Sequence, residues 1–194
     1  MVKLQENLIS RGHHNQIQDT VMSGQFPWFF YEHSVNLSNL NKKVFGDLHT
    51  RDCHQFTHIF IREGKLNSSY NNLIEVFLRT LDLKVEDVYR AQANMLTMDG
   101  AYPKDHYQYP HVDHATEDDG TTSLLYYVND SDGDTFFFNE KVDTNVEVLS
   151  INRRETPKKG KSVMFKSNTL HAGSPPRFHK TRVVLNFVFN KDRK

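Results

Sequence analysis

The chain has 194 residues, with 37 % hydrophobic, 25 % charged and 12 % aromatic residues, a composition that suits a folded globular protein and excludes a disordered one. Lys+Arg and Asp+Glu both number 24, so neutrality speaks against a partner bound mainly through phosphates, nucleic acid included. No apolar run is long enough to span a bilayer, and MVKLQENLIS lacks the apolar core of a secretory signal. Cys53 is the single cysteine, which excludes an intrachain disulfide and fits a reducing, cytoplasmic setting. The neutral total hides an asymmetry: residues 152–194 carry 12 Lys/Arg against 2 Asp/Glu, and nine carboxylates crowd between Asp113 and Asp143. Three readings stay open: solvated loops and strand edges, pairing of acidic with basic strands in one sheet, or a basic rim that attracts an anionic substrate.

Along the chain, residues 12–23 are predicted to form a short helix ended by Gly24, and Phe26-Pro-Trp-Phe-Phe-Tyr31 reads as a buried aromatic segment. Phe56 to Arg62 alternates like a strand, and Gly64 to Ser69 is turn-like. Leu73, Val76, Phe77 and Leu81 recur near helical spacing, predicting an amphipathic helix over 71–83. From Tyr89 on, short β-rich runs at 89–97, 109–114, 121–129, 134–138, 162–166 and 181–189 alternate with Gly, Pro, Asn and Asp turns. Strands at that spacing point to a sandwich or barrel such as a jelly roll. The fold class expected is α+β, a double-stranded β-helix (jelly-roll) core with supporting N-terminal helices. Residues 1–194 form a single domain in this reading, with 1–87 a support region and 88–190 the core.

His111-Val-Asp113 is the first candidate for chemistry. Residues i and i+2 of a strand share a face, so an imidazole and a carboxylate can grip one ion. Such a pair is weak evidence alone in a chain with 11 histidines. His171 follows the β-run 162–166 and supplies a third ligand. Two histidines and a carboxylate with open positions suit non-haem Fe(II) oxygenase chemistry, although zinc can occupy the same ligands. Arg182 interrupts an otherwise apolar strand, where a guanidinium is costly unless it meets an anion. A second cluster, His54 and His58 beside Asp52, is weaker, because Phe56 between them points to ordinary packing. His13, His14, His106, His114 and His179 read as surface or supporting residues.

The ordered set His111-Val-Asp113, Tyr126-Tyr-Val-Asn129, Gly133-Asp-Thr135, His171 and Arg182 resembles the Fe(II)/2-oxoglutarate-dependent dioxygenase superfamily, most closely its prolyl 4-hydroxylase branch. The resemblance implies that His111, Asp113 and His171 bind iron and form the catalytic centre. It also implies that Arg182 and Tyr127 hold the distal carboxylate of 2-oxoglutarate, and that Asn94 faces the cosubstrate. Fe(II), 2-oxoglutarate and O₂ are the implied cofactor and cosubstrates, with ascorbate an optional addition. The implied reaction hydroxylates a protein or peptide side chain such as proline, releasing succinate and CO₂. A nucleobase or small-molecule oxygenase, or a cupin-like metal-binding module without turnover, are the alternatives. The usual glycine pair is Gly133-Asp134 here, and Val184 stands where some members carry a small hydroxyl residue. Oligomeric state is left open.

Overall fold

The structure is a computed structural model that describes residues 2–35, 49–114, 120–141 and 148–191. Glu117, Asp118, Asp119 and Asp143 of the acidic stretch lie outside them. Strands β1 (Lys3–Glu6), β2 (Phe29–Tyr31), β3 (Gln55–Arg62), β4 (Lys65–Leu66), β5 (Val88–Thr97), β6 (Thr122–Tyr127), β7 (Thr135–Phe138), β8 (Ile151–Glu155), β9 (Lys161–Lys166), β10 (His171–Gly173) and β11 (Thr181–Phe189) alternate with helices α1 (Arg11–Val21) and α2 (Glu75–Leu81). The larger sheet runs β1-β9-β6-β11-β5-β3-β2 with β4 on β3, and the smaller runs β10-β7-β8. Every strand pairing is antiparallel. This is the expected double-stranded β-helix, and no helix among the described residues is long and apolar enough to cross a membrane.

The period of two along β11 explains the layering. Val183, Leu185, Phe187 and Phe189 join Ile17, Val21 and Phe77 from the two helices in the outer core. Val184, on the opposite face, packs with Leu125, Tyr127, Phe137 and Phe165 between the sheets. Arg182, Asn186 and Val188 share that inward face and line a cavity. One strand thus divides helix-side packing from the interior where the chemistry sits.

Several segments depart from expectation. Phe26 is buried and Trp28 packs against the core, but Phe29, Phe30 and Tyr31 are 59 %, 62 % and 43 % exposed, because they form the outermost strand of the larger sheet. The segment 71–83 is a 3₁₀ turn, Asn71–Leu73, followed by the shorter α2, which ends where Asp82 turns left-handed at φ 52°. His14 is buried on α1 beside Ile17 and Val21 rather than on the surface; its Nδ1 meets the Tyr126 hydroxyl at 2.6 Å. The charge asymmetry resolves in part into contacts. Asp134 pairs with Arg154, and the Asp132 carboxylate accepts from the backbone N–H groups of Arg177, Phe178 and His179.

Candidate active site

His111, Asp113 and His171 converge: one ligand atom from each lies within 4.8 Å of the others. The segment 109–114 is not the strand expected, since Pro110 offers no N–H and pairing is confined to a few bonds. His111 and His171 exchange backbone hydrogen bonds at 2.9 and 3.0 Å, and Asp113 N donates to Ser167 O at 2.9 Å. These bonds lay the first two ligands alongside the start of β10, which carries the third.

Each imidazole is aimed by its own chain. His111 Nδ1 donates to Tyr109 O and His171 Nδ1 to Thr169 O, both at 2.9 Å, leaving Nε2 as the lone-pair nitrogen on both rings. Burial, reinforced by His171, pushes the pKa of His111 down to about 4, so this ring is a neutral donor at physiological pH. Burial alone would raise the Asp113 carboxyl, but His171 and Arg90 outweigh it and hold it well below the usual carboxylate range. Three side chains donate to its oxygens: Oδ1 accepts from Arg90 Nη2 at 2.6 Å and Asn186 Nδ2 at 3.2 Å, and Oδ2 accepts from Ser123 Oγ at 2.7 Å. Two imidazoles and an ionised carboxylate, with hydrogen bonds behind each, fit a non-haem iron(II) ion.

Arg182 lies in the same cavity and is 5 % exposed. Nε donates to Gly133 O at 2.8 Å and Nη2 to Thr135 Oγ1 at 2.7 Å. No carboxylate lies within ion-pair distance among the described residues, because its neighbour Asp134 is engaged by Arg154. Gly173 keeps its side free, for a Cβ there would come within 3.4 Å of Nη1. A buried cation held by neutral acceptors is a receptor for an anion, and the distal carboxylate of 2-oxoglutarate fits it.

Tyr127 is buried with its hydroxyl 2.9 Å from Thr135 Oγ1, so it meets Arg182 through Thr135. Burial pushes the Tyr127 pKa up to about 12, keeping it a neutral phenol. Asn94 faces the cavity, its Oδ1 accepting from Thr57 Oγ1 and Gln92 Nε2, both at 3.0 Å. The His54–His58 pair forms no site. His58 uses both ring nitrogens, on Pro27 O at 2.8 Å and Ser68 Oγ at 2.7 Å, while His54 is exposed and packs on Phe30. His13 and His179 are exposed and His106 is half-buried, and His114 stacks on Tyr89 beside the cavity.

Arg90, Ser123 and Asn186 were not singled out by the sequence, and Thr135 entered only as the last residue of the Gly133-Asp-Thr135 motif, with no role assigned. A signal existed for three of them. Arg90 lies four residues before Asn94 on β5, Asn186 four after Arg182 on β11, and Ser123 four before Tyr127 on β6, so the period of two puts each on the face of a chosen residue.

The cavity measures about 1170 Å³ and is bounded by β3, β5, β6, β11 and the ligand segments. Gln55, Thr57, Gln92 and Asn94 line it from β3 and β5, and Glu32, Arg62 and Glu63 add charge to the lining.

Residues 97–190 match the family model described as the 2OG-Fe(II) oxygenase superfamily. A search of curated proteins finds no match. Among solved structures, the chain is similar to a 2OG-Fe(II) oxygenase family oxidoreductase from Burkholderia pseudomallei (12 % identity, 99 % of this chain and 86 % of that one, TM-score 0.60). It is similar to a non-heme alpha-ketoglutarate-dependent epimerase of nogalamycin biosynthesis (7 %, 97 % and 77 %, 0.60). It is also similar to a Trichoplax adhaerens prolyl hydroxylase in complex with a hypoxia inducible factor oxygen degradation domain peptide fragment (13 %, 98 % and 84 %, 0.58).

Proposed function

Because residues 97–190 match the 2OG-Fe(II) oxygenase superfamily model and His111, Asp113 and His171 converge in the cavity, we propose that this chain is an oxygenase of that kind and that it hydroxylates a protein or peptide side chain, proline being the first to test. Iron(II), 2-oxoglutarate and O₂ supply the oxidising chemistry, in which 2-oxoglutarate leaves as succinate and CO₂ while one oxygen atom enters the substrate. His111, Asp113 and His171 would hold the iron. Their backbone-anchored rings keep Nε2 directed inward without reorganisation, and the neutral state of His111 spares the ion competition from protons. Arg182, fixed by Gly133 O and Thr135 Oγ1, would orient 2-oxoglutarate by its far carboxylate, with Tyr127 supporting it through Thr135. Asn94 would offer the N–H groups of an amide whose oxygen is already occupied.

The observation that carries this reading is the buried, anion-free guanidinium of Arg182 in the same cavity as the triad. A cupin-like module that only stores metal has no use for that charge. A peptidyl substrate agrees with the size of the cavity, which exceeds what the cosubstrate alone fills, and with the amide side chains of Gln55, Gln92 and Asn94 on its lining. The free Cys53 thiol, pushed up to about 11 by burial, accords with a cytoplasmic setting. The test is succinate formation from 2-oxoglutarate by purified protein with Fe(II), with and without proline-containing peptides, followed by the mass of the peptide. An increase of one oxygen atom on a peptide is expected. Succinate formation stimulated only by small molecules or nucleobases would replace the peptidyl reading, and no succinate under any condition would overturn the oxygenase assignment.

A further inference from the structure

The hydrogen bonds around Asp113 leave it one free acceptor position, and that position is on one oxygen. A carboxylate oxygen offers two lone-pair sites. Both sites of Oδ1 are taken, by Arg90 Nη2 at 2.6 Å and Asn186 Nδ2 at 3.2 Å. Among the described residues Oδ2 accepts only from Ser123 Oγ, at 2.7 Å, and it is the oxygen that lies 3.8 Å from His171 Nε2. The Asp113 side chain is wholly buried.

Arg90 and Asn186 are spent on this contact. Arg90 Nε and Asn186 Oδ1 are themselves buried with no hydrogen-bond partner. A structural ion pair gains nothing from leaving them so, since unpartnered buried polar atoms destabilise a fold. The two residues reach Asp113 from adjacent strands, β5 and β11, and both line the cavity.

We propose that Arg90, assisted by Asn186, is a positioning residue that restricts Asp113 to ligation through Oδ2 alone. This role rests on the iron and 2-oxoglutarate reading above. A carboxylate free to turn can offer both oxygens to one ion. The second oxygen would then occupy a position that the cosubstrate and O₂ require to be open. Arg90 keeps that position open by holding Oδ1 away from the metal.

The test uses full-length protein loaded with Mn²⁺, without O₂. Relaxation of water protons reports how many waters sit on the ion, and calorimetry gives affinities for Mn²⁺ and then for 2-oxoglutarate. For Arg90→Gln, Mn²⁺ affinity within about threefold of wild type is expected, together with weaker water relaxation and 2-oxoglutarate affinity reduced at least tenfold. Arg90→Lys, which keeps the charge but loses the planar fork, should restore part of both. Asn186→Ala should shift both readouts in the same direction by less, and it carries the test if Arg90→Gln fails to fold. Unchanged water relaxation and 2-oxoglutarate affinity in these variants would overturn the proposal, as would proportionate loss of Mn²⁺ and 2-oxoglutarate binding. Wild-type protein that binds Mn²⁺ but no 2-oxoglutarate would instead overturn the underlying function, and the role of Arg90 with it.

Discussion

Gly133 and Arg182 are built around each other. The Gly133 carbonyl accepts from Arg182 Nε at 2.8 Å, and a Cβ on Gly133 would come within 2.4 Å of Ser174 O, 2.9 Å of Pro176 N and 3.0 Å of Arg182 Cδ. Two of those atoms are backbone and cannot rotate away. Gly133→Ala should therefore push the 131–134 turn from the 174–176 segment, destabilising the protein by about 1–3 kcal/mol and weakening 2-oxoglutarate binding. Gly24→Ala is the control, since a Cβ there meets nothing within 4 Å. Denaturant midpoints and a 2-oxoglutarate titration check both effects. Wild-type affinity in Gly133→Ala would show that this carbonyl does not set the guanidinium.

Arg182 itself should show stability and binding moving in opposite directions. Without a ligand it is a buried charge lacking an anion, and replacing such a group with an apolar side chain of similar length is often neutral or stabilising. Arg182→Met should leave the ligand-free thermal midpoint unchanged or raised. Truncating one member of a buried charge pair costs about 3–5 kcal/mol, so Arg182→Met should lose at least about a hundredfold in 2-oxoglutarate affinity. Metal affinity should hold. A variant that binds 2-oxoglutarate normally would move the anion site elsewhere.

What the sequence revealed and concealed follows from where the hydrophobic signal lies. Strands β5, β6, β7, β9 and β11 are legible because they bury apolar residues. β1, with KLQE wholly exposed, and β8, reading INRRE, carry no such signal. β8 is held by pairing with β7 and by Arg154 on Asp134, twenty residues away, with Glu155 meeting Lys161 at the start of the next strand. The aromatic run at 26–31 misled for the opposite reason: hydrophobicity marks Phe29 and Phe30, but only the sheet order reveals that they sit on an edge strand. The candidate metal ligands and Arg182 were legible because their chemistry is costly in those contexts. Arg90 and Ser123 were not, since an arginine or a serine in a strand is unremarkable until its partner is known.

Thr135 links two residues that the resemblance assigned separately. Its hydroxyl oxygen lies 2.7 Å from Arg182 Nη2 and 2.9 Å from the Tyr127 hydroxyl. A hydroxyl that accepts from the guanidinium can still donate to Tyr127 or accept from it. Tyr127→Phe should cost on the order of 1 kcal/mol of 2-oxoglutarate binding, and Thr135→Val should cost more because it removes both contacts. The two should be non-additive: in Thr135→Val, adding Tyr127→Phe should change affinity little. Additive losses would mean that Tyr127 reaches the ligand independently of Thr135.

The last prediction concerns two buried histidines outside the His111, Asp113 and His171 cluster. His14 is buried with Nε2 unpartnered, and burial, with nearby Lys159, lowers its pKa below the ordinary value. Burial likewise lowers His58, against an opposing contribution from Pro27 O. Both are therefore neutral in the folded protein over a range where the unfolded chain takes up protons. Where the unfolded state binds more protons, stability falls as pH falls. The loss should begin near the unfolded histidine pKa of about 6.5 and continue down to the lowered folded values. Urea midpoints of the metal-free protein should accordingly drop between about pH 7.5 and 5.5. His58→Gln should flatten that slope, since an amide presents a donor and an acceptor without titrating. A midpoint independent of pH across that window, or a slope indifferent to His58→Gln, would show that these rings are not held neutral by the fold.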